Sequence, residues 1–139
     1  MCIRHVSGYS TPYGAGAVAA TELGVCHVWL PGEDLSSVCG TVSRESELSR
    51  KAAQQLEQYF QGRLQQFDLP VDISKFTPFQ QRVLLQTAQI PYGSVTTYGE
   101  LAKKVGSLKA ARAVGGVMAS NQIPVIIPCH RVVASDGAL

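Results

Sequence analysis

The 139-residue sequence contains no apolar stretch that approaches the roughly 20 residues needed to span a bilayer. Its first residues, "MCIRHVSGYSTPYG", are too polar and too often interrupted to form the apolar core of a secretory signal. Charged residues are also few, at 16%, whereas apolar residues make up 45%, a balance that argues against a disordered chain. We therefore expect an intracellular globular protein, in the cytoplasm of a prokaryote or the nucleus of a eukaryote, with no membrane partner.

Cysteine is also scarce, and its spacing excludes two common uses of the residue. No two cysteines form a C-x-x-C pair, so the sequence predicts neither a zinc ribbon nor a thioredoxin-like motif. Because no secretory signal is expected, a disulfide framework is not expected either. The four cysteines are Cys2, Cys26, Cys39 and Cys129. We interpret Cys129 as a free thiol.

Charge is distributed unevenly, although the formal net charge is only +2. Residues 1–70 contain five Lys/Arg and seven Asp/Glu, a net charge of −2, whereas residues 71–139 contain seven and three, a net charge of +4. A basic half that follows an acidic half suggests that the second half contacts a polyanion. A basic face that binds nothing is the alternative that charge alone leaves open.

The first part of the chain, residues 1–74, predicts a small α/β scaffold domain. The segment "GAVAATELGVCHVWL" carries β-branched and aromatic residues interrupted by Gly, which indicates an antiparallel sheet within residues 1–42. Apolar residues then recur at helical spacing over residues 46–61, and Gly62 is suited to end that helix. The proline-containing stretch "QFDLPVDISKF" that follows predicts an extended linker.

The second part, residues 75–139, predicts a mostly helical domain. Thr77 followed by Pro78 is typical of a helix start. Thr97 and Glu100 have the spacing of a capping box at the start of a second helix. A Gly-containing turn then leads into a third helix over "LKAARAVGGVMAS". This pattern predicts a winged helix-turn-helix-like domain, and a plain helical hairpin is the alternative.

The third helix divides into two faces when it is wound at about 100° per residue. The expected core face consists of Leu108, Ala111, Val114, Gly115 and Met118. The opposite face consists of Lys109, Arg112, Ala113, Gly116 and Ser120. This outer face carries two cations and otherwise small residues, which let a helix approach a partner backbone closely. We expect it to face DNA, with the cations at phosphates or Arg112 inserted into the duplex.

The stretch "IPVIIPCHRVV" places Cys129 and His130 side by side after a run of aliphatic residues. A thiol is a useful nucleophile as a thiolate, and a histidine that takes its proton would activate it. Neighbouring side chains diverge unless the backbone turns sharply, so a bridging water is the alternative. Cysteine-protease signatures are absent, and two adjacent ligands rarely complete a zinc site. Without further context, an inert buried cysteine beside a surface histidine is the favoured interpretation.

The surrounding sequence changes this interpretation. The string "KAARAVGGVMASNQIPVIIPCHRVV", preceded by "FTPFQQRVLLQTAQIPYGSVTTYGELA", resembles the O6-alkylguanine-DNA alkyltransferases, also called methylated-DNA–protein-cysteine methyltransferases. The resemblance covers residues 75–136, extends over residues 43–74 and is looser over residues 1–42. It implies a single-use DNA repair protein that needs no cofactor. Such a protein binds duplex DNA, flips an O6-alkylguanine into a pocket and moves the alkyl group to a cysteine.

The resemblance also implies roles for the residues at matching positions. Cys129 would accept the alkyl group, and His130 would act through a water as the base. Arg112 would fill the space left by the flipped base, and Tyr98 would contact the target phosphate and guanine. The other expected DNA contacts are Thr97, Lys109 and Ser120. The expected hinge and pocket positions are Asn121, Arg131, Val132 and Ser135.

The sequence departs from the family pattern in two places. The family continues past "SDGAL" into a helix whose glutamate completes a Cys–water–His–Glu relay; we interpret that tail as missing, and no residue here is expected to take its role. Some members hold a structural zinc in the N-terminal domain. The nearest candidate ligands are Cys2, His5, Cys26 and His27, and because their spacing departs from the family pattern, no metal is expected.

Two other functions are alternatives to alkyl transfer. A non-transferring alkylated-DNA-binding module of the same architecture is the main alternative, but such proteins carry another residue in place of the cysteine. A plain winged-helix DNA-binding protein would leave "IPCHRV" unexplained. We expect a monomer that binds double-stranded DNA.

Overall fold

The structure is a computed structural model that describes residues 4–35, 38, 44–106 and 110–134. It divides into two units, Met1–Asp72 and Ile73–Leu139. In the first unit, strands β1 (His5–Thr11), β2 (Gly14–Thr21) and β3 (Gly24–Trp29) form an antiparallel sheet in the order β1-β2-β3. Two-residue connections join successive strands, so each strand pairs with its neighbour in sequence.

Helix α1 (Glu47–Phe60) covers one face of this sheet. It begins at the N-cap Ser46, whose side chain forms a reciprocal capping box with Ser49, and Gly62 follows its end with a φ of +77°. The Ser49 hydroxyl also bonds to the Ser7 hydroxyl of β1 at 2.8 Å. The helix approaches the sheet closely at small residues: Ala20 of β2, which lies on the same face of the sheet as Ser7, and Ala52 of α1 are both fully buried.

The stretch predicted as an extended linker is hydrogen-bonded to β3. The amide of Val25 donates to Pro70 O at 2.9 Å, and the amide of Asp72 donates to Val25 O at 2.7 Å. Val71 thereby forms a parallel bridge with Val25. The extended conformation follows from Pro70, but its partner strand is far away in sequence and left no local signal.

Gly16 of β2 is a position at which the sheet tolerates no side chain. A Cβ there would lie 2.6 Å from the carbonyl oxygen of Trp29 and against the ring of Tyr9, which is buried and donates to that same oxygen at 2.7 Å. We expect Gly16→Ala to lower the free energy of unfolding by about 2–3 kcal/mol. Gly8→Ala is the matched control in β1, since its Cβ would meet nothing closer than 3.8 Å. Urea unfolding of both variants measures the difference, and equal midpoints would contradict this packing.

In the second unit three helices pack together: α2 (Pro78–Ala88), α3 (Tyr98–Lys104) and α4 (Ala111–Ser120). Two short strands, β4 (Thr96–Thr97) and β5 (Val132–Val133), pair in parallel. A 3₁₀ turn, Cys129–Arg131, directly precedes β5. The fully buried side chains of this core include Val83, Leu84, Leu101, Val114, Ile123 and Ile127.

The predicted fold class is confirmed: a small antiparallel sheet with a helix packed on it, followed by a mostly helical domain. Helix α2 begins as predicted, with Thr77 as N-cap and Pro78 at the first position. At α3 only half of the predicted capping box forms. Thr97 accepts from the amide of Glu100 at 3.0 Å, but the Glu100 carboxylate accepts from the Thr96 hydroxyl instead. Over the described residues, every helix is too short or too polar to cross a membrane.

Candidate functional site

The segment after α4 is closed into a tight loop by the side chain of Asn121. Its Oδ1 accepts from the amide of Ile123 at 2.9 Å, and its Nδ2 donates to the carbonyl of Ile127, also at 2.9 Å. A backbone bond from Ile127 N to Ile123 O, 2.9 Å long, closes the same loop. Ile123 and Ile127 are fully buried, so the loop is anchored on the core of this unit. The side chain of Asn121 therefore connects the end of α4 to the segment that leads into Cys129.

Cys129 leaves this loop at a second sharp turn. The φ and ψ of Pro128 are −80° and 71°, and the amide of Cys129 donates to Ile127 O at 2.8 Å, which together form an inverse γ-turn. The carbonyl of Ile127 thus accepts from both Asn121 and the backbone of Cys129. Cys129 is a free, half-buried cysteine on this rigid support. Cys129 is therefore only partly enclosed by its neighbours.

His130 follows in the 3₁₀ turn and lies at the surface. Partial desolvation of the imidazole, and then the positive charge of Arg131, lowers the pKa of His130 from its ordinary value of 6.5. The imidazole is therefore mostly neutral at pH 7 and is able to accept a proton. A neutral histidine beside a thiol is the protonation state that general-base activation requires.

Arg131 is buried, and its side chain is hydrogen-bonded within the protein. Its guanidinium donates to the carbonyl of Ile90 at 2.8 Å and lies 5.5 Å from the centre of the Tyr92 ring. The sequence placed Arg131 among the hinge and pocket residues. The structure shows it fastening the 3₁₀ turn to the chain that follows α2. Ile90 and Tyr92 were missed, because an acceptor that is a backbone carbonyl carries no signature in sequence.

Helix α4 presents the outer face that the sequence predicts. Arg112, Ala113, Gly116 and Ser120 are exposed, whereas Val114, Val117 and Met118 are buried. Val117 was absent from the predicted core face. The helix begins at Ala111 rather than Leu108, with Ala110 at the N-cap position and no side-chain cap. Lys109 and Ser135, two predicted site residues, lie outside the described residues.

Of the other predicted site residues, Tyr98 packs on α4 and Ser120 belongs to it. A Cβ on Gly115 would meet the Tyr98 ring at 3.7 Å, so this ring packs over the helix at a glycine. Thr97, half-buried, uses its hydroxyl to cap α3, and Ser120 donates to Val117 O at 2.9 Å. Val132 is buried in β5, where it pairs with Thr96. Cys129, His130 and Val132 are thus consecutive parts of one turn and strand, and Tyr98 and Arg112 belong to the neighbouring helix pair.

Comparison with known proteins identifies the family to which this arrangement belongs. Residues 5–73 match the model for the 6-O-methylguanine DNA methyltransferase ribonuclease-like domain, and residues 78–139 match that for the DNA binding domain. A methylated-DNA–protein-cysteine methyltransferase of Bacillus subtilis is 39% identical over 133 residues, which cover 93% of this chain and 80% of that protein. This chain belongs to the methylated-DNA–protein-cysteine methyltransferase family. The resemblance noted in the sequence is therefore confirmed.

Other members of the methyltransferase family agree in sequence and in fold. The Methanosarcina acetivorans protein of the same name is 39% identical over 132 residues, covering 94% of this chain and 84% of its own length. The crystal structure of Mycobacterium tuberculosis OGT in complex with DNA superposes with a TM-score of 0.81 and 34% identity. That match covers 96% of this chain and 81% of the other.

Proposed function

We propose that this chain repairs DNA by transferring the alkyl group of an O6-alkylguanine in duplex DNA to the sulfur of Cys129. Family membership supports DNA repair by methyl transfer. The observation that carries the assignment to Cys129 is its position: a half-buried thiol on a hydrogen-bonded turn, next to a histidine whose lowered pKa keeps it neutral. Among the described residues, Cys26 is also followed by a histidine with a lowered pKa, His27, but both lie in strand β3 and not in a turn.

The proposed transfer is a displacement at the alkyl carbon. His130 takes the thiol proton through a water, and the resulting thiolate attacks the carbon bonded to O6. The carbon–O6 bond breaks, its electron pair remains on guanine, and the proton from the thiol ends on the guanine that leaves. A thioether forms on Cys129. Because a thioether carbon is a poor group for onward transfer, each molecule acts once, and the step balances without a cofactor.

The thiol reaches a base in the duplex only after that base leaves the stack. Base flipping costs a few kcal/mol, which contacts to the phosphates and a side chain inserted into the gap offset. Arg112 is an exposed cation on the outer face of α4, and the small residues Ala113 and Gly116 let this face approach a duplex closely. Arg112 is therefore proposed to occupy the gap, and Tyr98, packed beside α4, to contact the backbone of the flipped nucleotide.

Mass spectrometry of the protein after incubation with a duplex containing one O6-methylguanine tests the proposed function. We expect one added methyl group per protein molecule, located on Cys129, and none after incubation with the unmodified duplex. Tight, lesion-selective binding without a gain in mass would contradict transfer and support a non-transferring damage-binding module. Equal binding to both duplexes would contradict lesion recognition altogether.

The lowered pKa of His130 predicts how transfer depends on pH. The second-order rate constant at subsaturating DNA, which reports the groups of the free protein, should stay high as pH falls to about 6.5, an unperturbed histidine's pKa, and should decline only below it. The free energy of unfolding should also decrease as pH falls. Because the folded-state pKa lies below the unfolded value, the unfolded chain takes up the proton first, so stability falls as pH falls through this window.

A histidine in the other unit supplies the control for this profile. The pKa of His27, which stacks on Trp29, is lowered chiefly by burial. His27 therefore contributes to the same loss of stability in acid. His27→Gln should alter the pH dependence of unfolding and leave the pH dependence of the transfer rate unchanged. His130→Gln should lower the rate and remove its acid limb. A rate profile that is the same in the His130 variant and the wild type would exclude His130 as the base.

A further inference from the structure

Val125 has a backbone conformation that its side chain disfavours. Its φ is +73°, and among the described residues it is the only non-glycine residue with a positive φ. The amide of Ile126 donates to Pro124 O at 2.9 Å across Val125, so the three residues form a γ-turn of the strained, positive-φ type. A β-branched residue is a true outlier in this region, because its Cβ approaches the backbone too closely.

The strained turn lies between the two points held by Asn121. The Asn121 side chain bonds to Ile123 N and Ile127 O, two residues before and two residues after Val125. The direct bond from Ile127 N to Ile123 O closes the same interval, and both isoleucines are fully buried. Residues in strained conformations persist where the surrounding contacts over-determine them, and these contacts do so.

The position of Cys129 depends on this interval. Its amide bonds to the carbonyl of Ile127, the same atom that accepts from Asn121. If Val125 relaxed to a negative φ, the peptide planes that follow would rotate, and the Ile127 carbonyl would move with them. We propose that Val125 is a positioning residue for alkyl transfer. Its γ-turn, held in place by Asn121, sets the position of the Ile127 carbonyl and therefore that of the Cys129 backbone amide bonded to it. The inference rests on the proposed function, in which Cys129 is the acceptor.

The first test measures the strain itself. At ordinary positions Ala is more stabilising than Gly, but at Val125 a Cβ maintains the strain and glycine removes it. We expect Val125→Gly to have an unfolding equilibrium constant roughly tenfold smaller than Val125→Ala. Gln122, exposed and without a positive φ, is the matched control, where Ala should be the more stable of the pair. If the Ala variant is more stable than the Gly variant at both positions, the inference is overturned.

The second test measures positioning through a double-mutant cycle. Asn121→Ala should lower the transfer rate constant at saturating O6-methylguanine duplex at least about tenfold, with little change in duplex affinity, because the unclamped turn relaxes. Adding Val125→Gly should restore most of that rate, since glycine adopts the turn without strain. If the double variant loses as much activation free energy as the two single variants together, the positioning role of Val125 is overturned. A wild-type protein that gains no methyl group would instead overturn the proposed function, and the order of the Val125 variants would still report the strain.

Discussion

Replacing Cys129 with serine should slow methyl transfer from an O6-methylguanine duplex by at least about 1,000-fold. A serine hydroxyl is far less acidic than a thiol, and the neutral His130 is too weak a base to ionise it. The substitution changes one atom and keeps the half-buried turn, so affinity for the duplex should remain close to that of the wild type. Single-turnover kinetics with mass detection measure the rate, and titration with labelled duplex measures the affinity.

The control for this prediction is the other described cysteine. Cys26 is a partly buried cysteine that packs on the core of the antiparallel sheet. Cys26→Ser should therefore keep the transfer rate while it lowers the stability of the sheet, so the rate is compared at a temperature at which both variants are folded. A Cys129→Ser protein that still gains a methyl group, or a Cys26→Ser protein that does not, would assign the acceptor elsewhere.

Arg112→Ala should reduce transfer from a fully paired duplex by about 100-fold, the second largest effect expected. Without the inserted side chain, the unstacked state loses the contact that offsets the few kcal/mol of base flipping. Arg112 is exposed on α4, so its replacement should leave the free energy of unfolding within about 0.5 kcal/mol of the wild type. The measurement is the single-turnover rate constant as a function of duplex concentration.

Two comparisons separate insertion from simple attraction to phosphate. With a single-stranded O6-methylguanine oligonucleotide, little stacking has to be broken, so the variant and the wild type should transfer at similar rates. Arg112→Lys keeps the charge and should retain phosphate attraction, while a flexible ammonium fills the gap less well than a planar guanidinium. A uniform loss on single-stranded and paired substrates would indicate a phosphate contact. It would also exclude the proposed insertion.

The parts of the molecule that sequence predicted well depend on interactions over a few residues. The Thr77 cap and Pro78 start of α2, the end of α1 at Gly62 and the outer face of α4 follow from local backbone chemistry and helical spacing. The family was identified from the density of matched residues around "IPCHRV". The residue roles within the site stay predictions, since they concern contacts with DNA that sequence and fold do not contain.

By itself, the sequence determined the two-part architecture, the family and the adjacency of Cys129 and His130 along the chain. Only the tertiary structure decided that Arg131 bonds to Ile90, 41 residues away, and that Pro70 and Asp72 extend the sheet at β3. It alone also decided that Val125 is held at a positive φ against its own preference. The physical reason is common to all three. Backbone carbonyls are alike at every residue, and backbone amides are alike at every residue except proline, so which of them meet is set by the packing of the folded chain and not by local sequence.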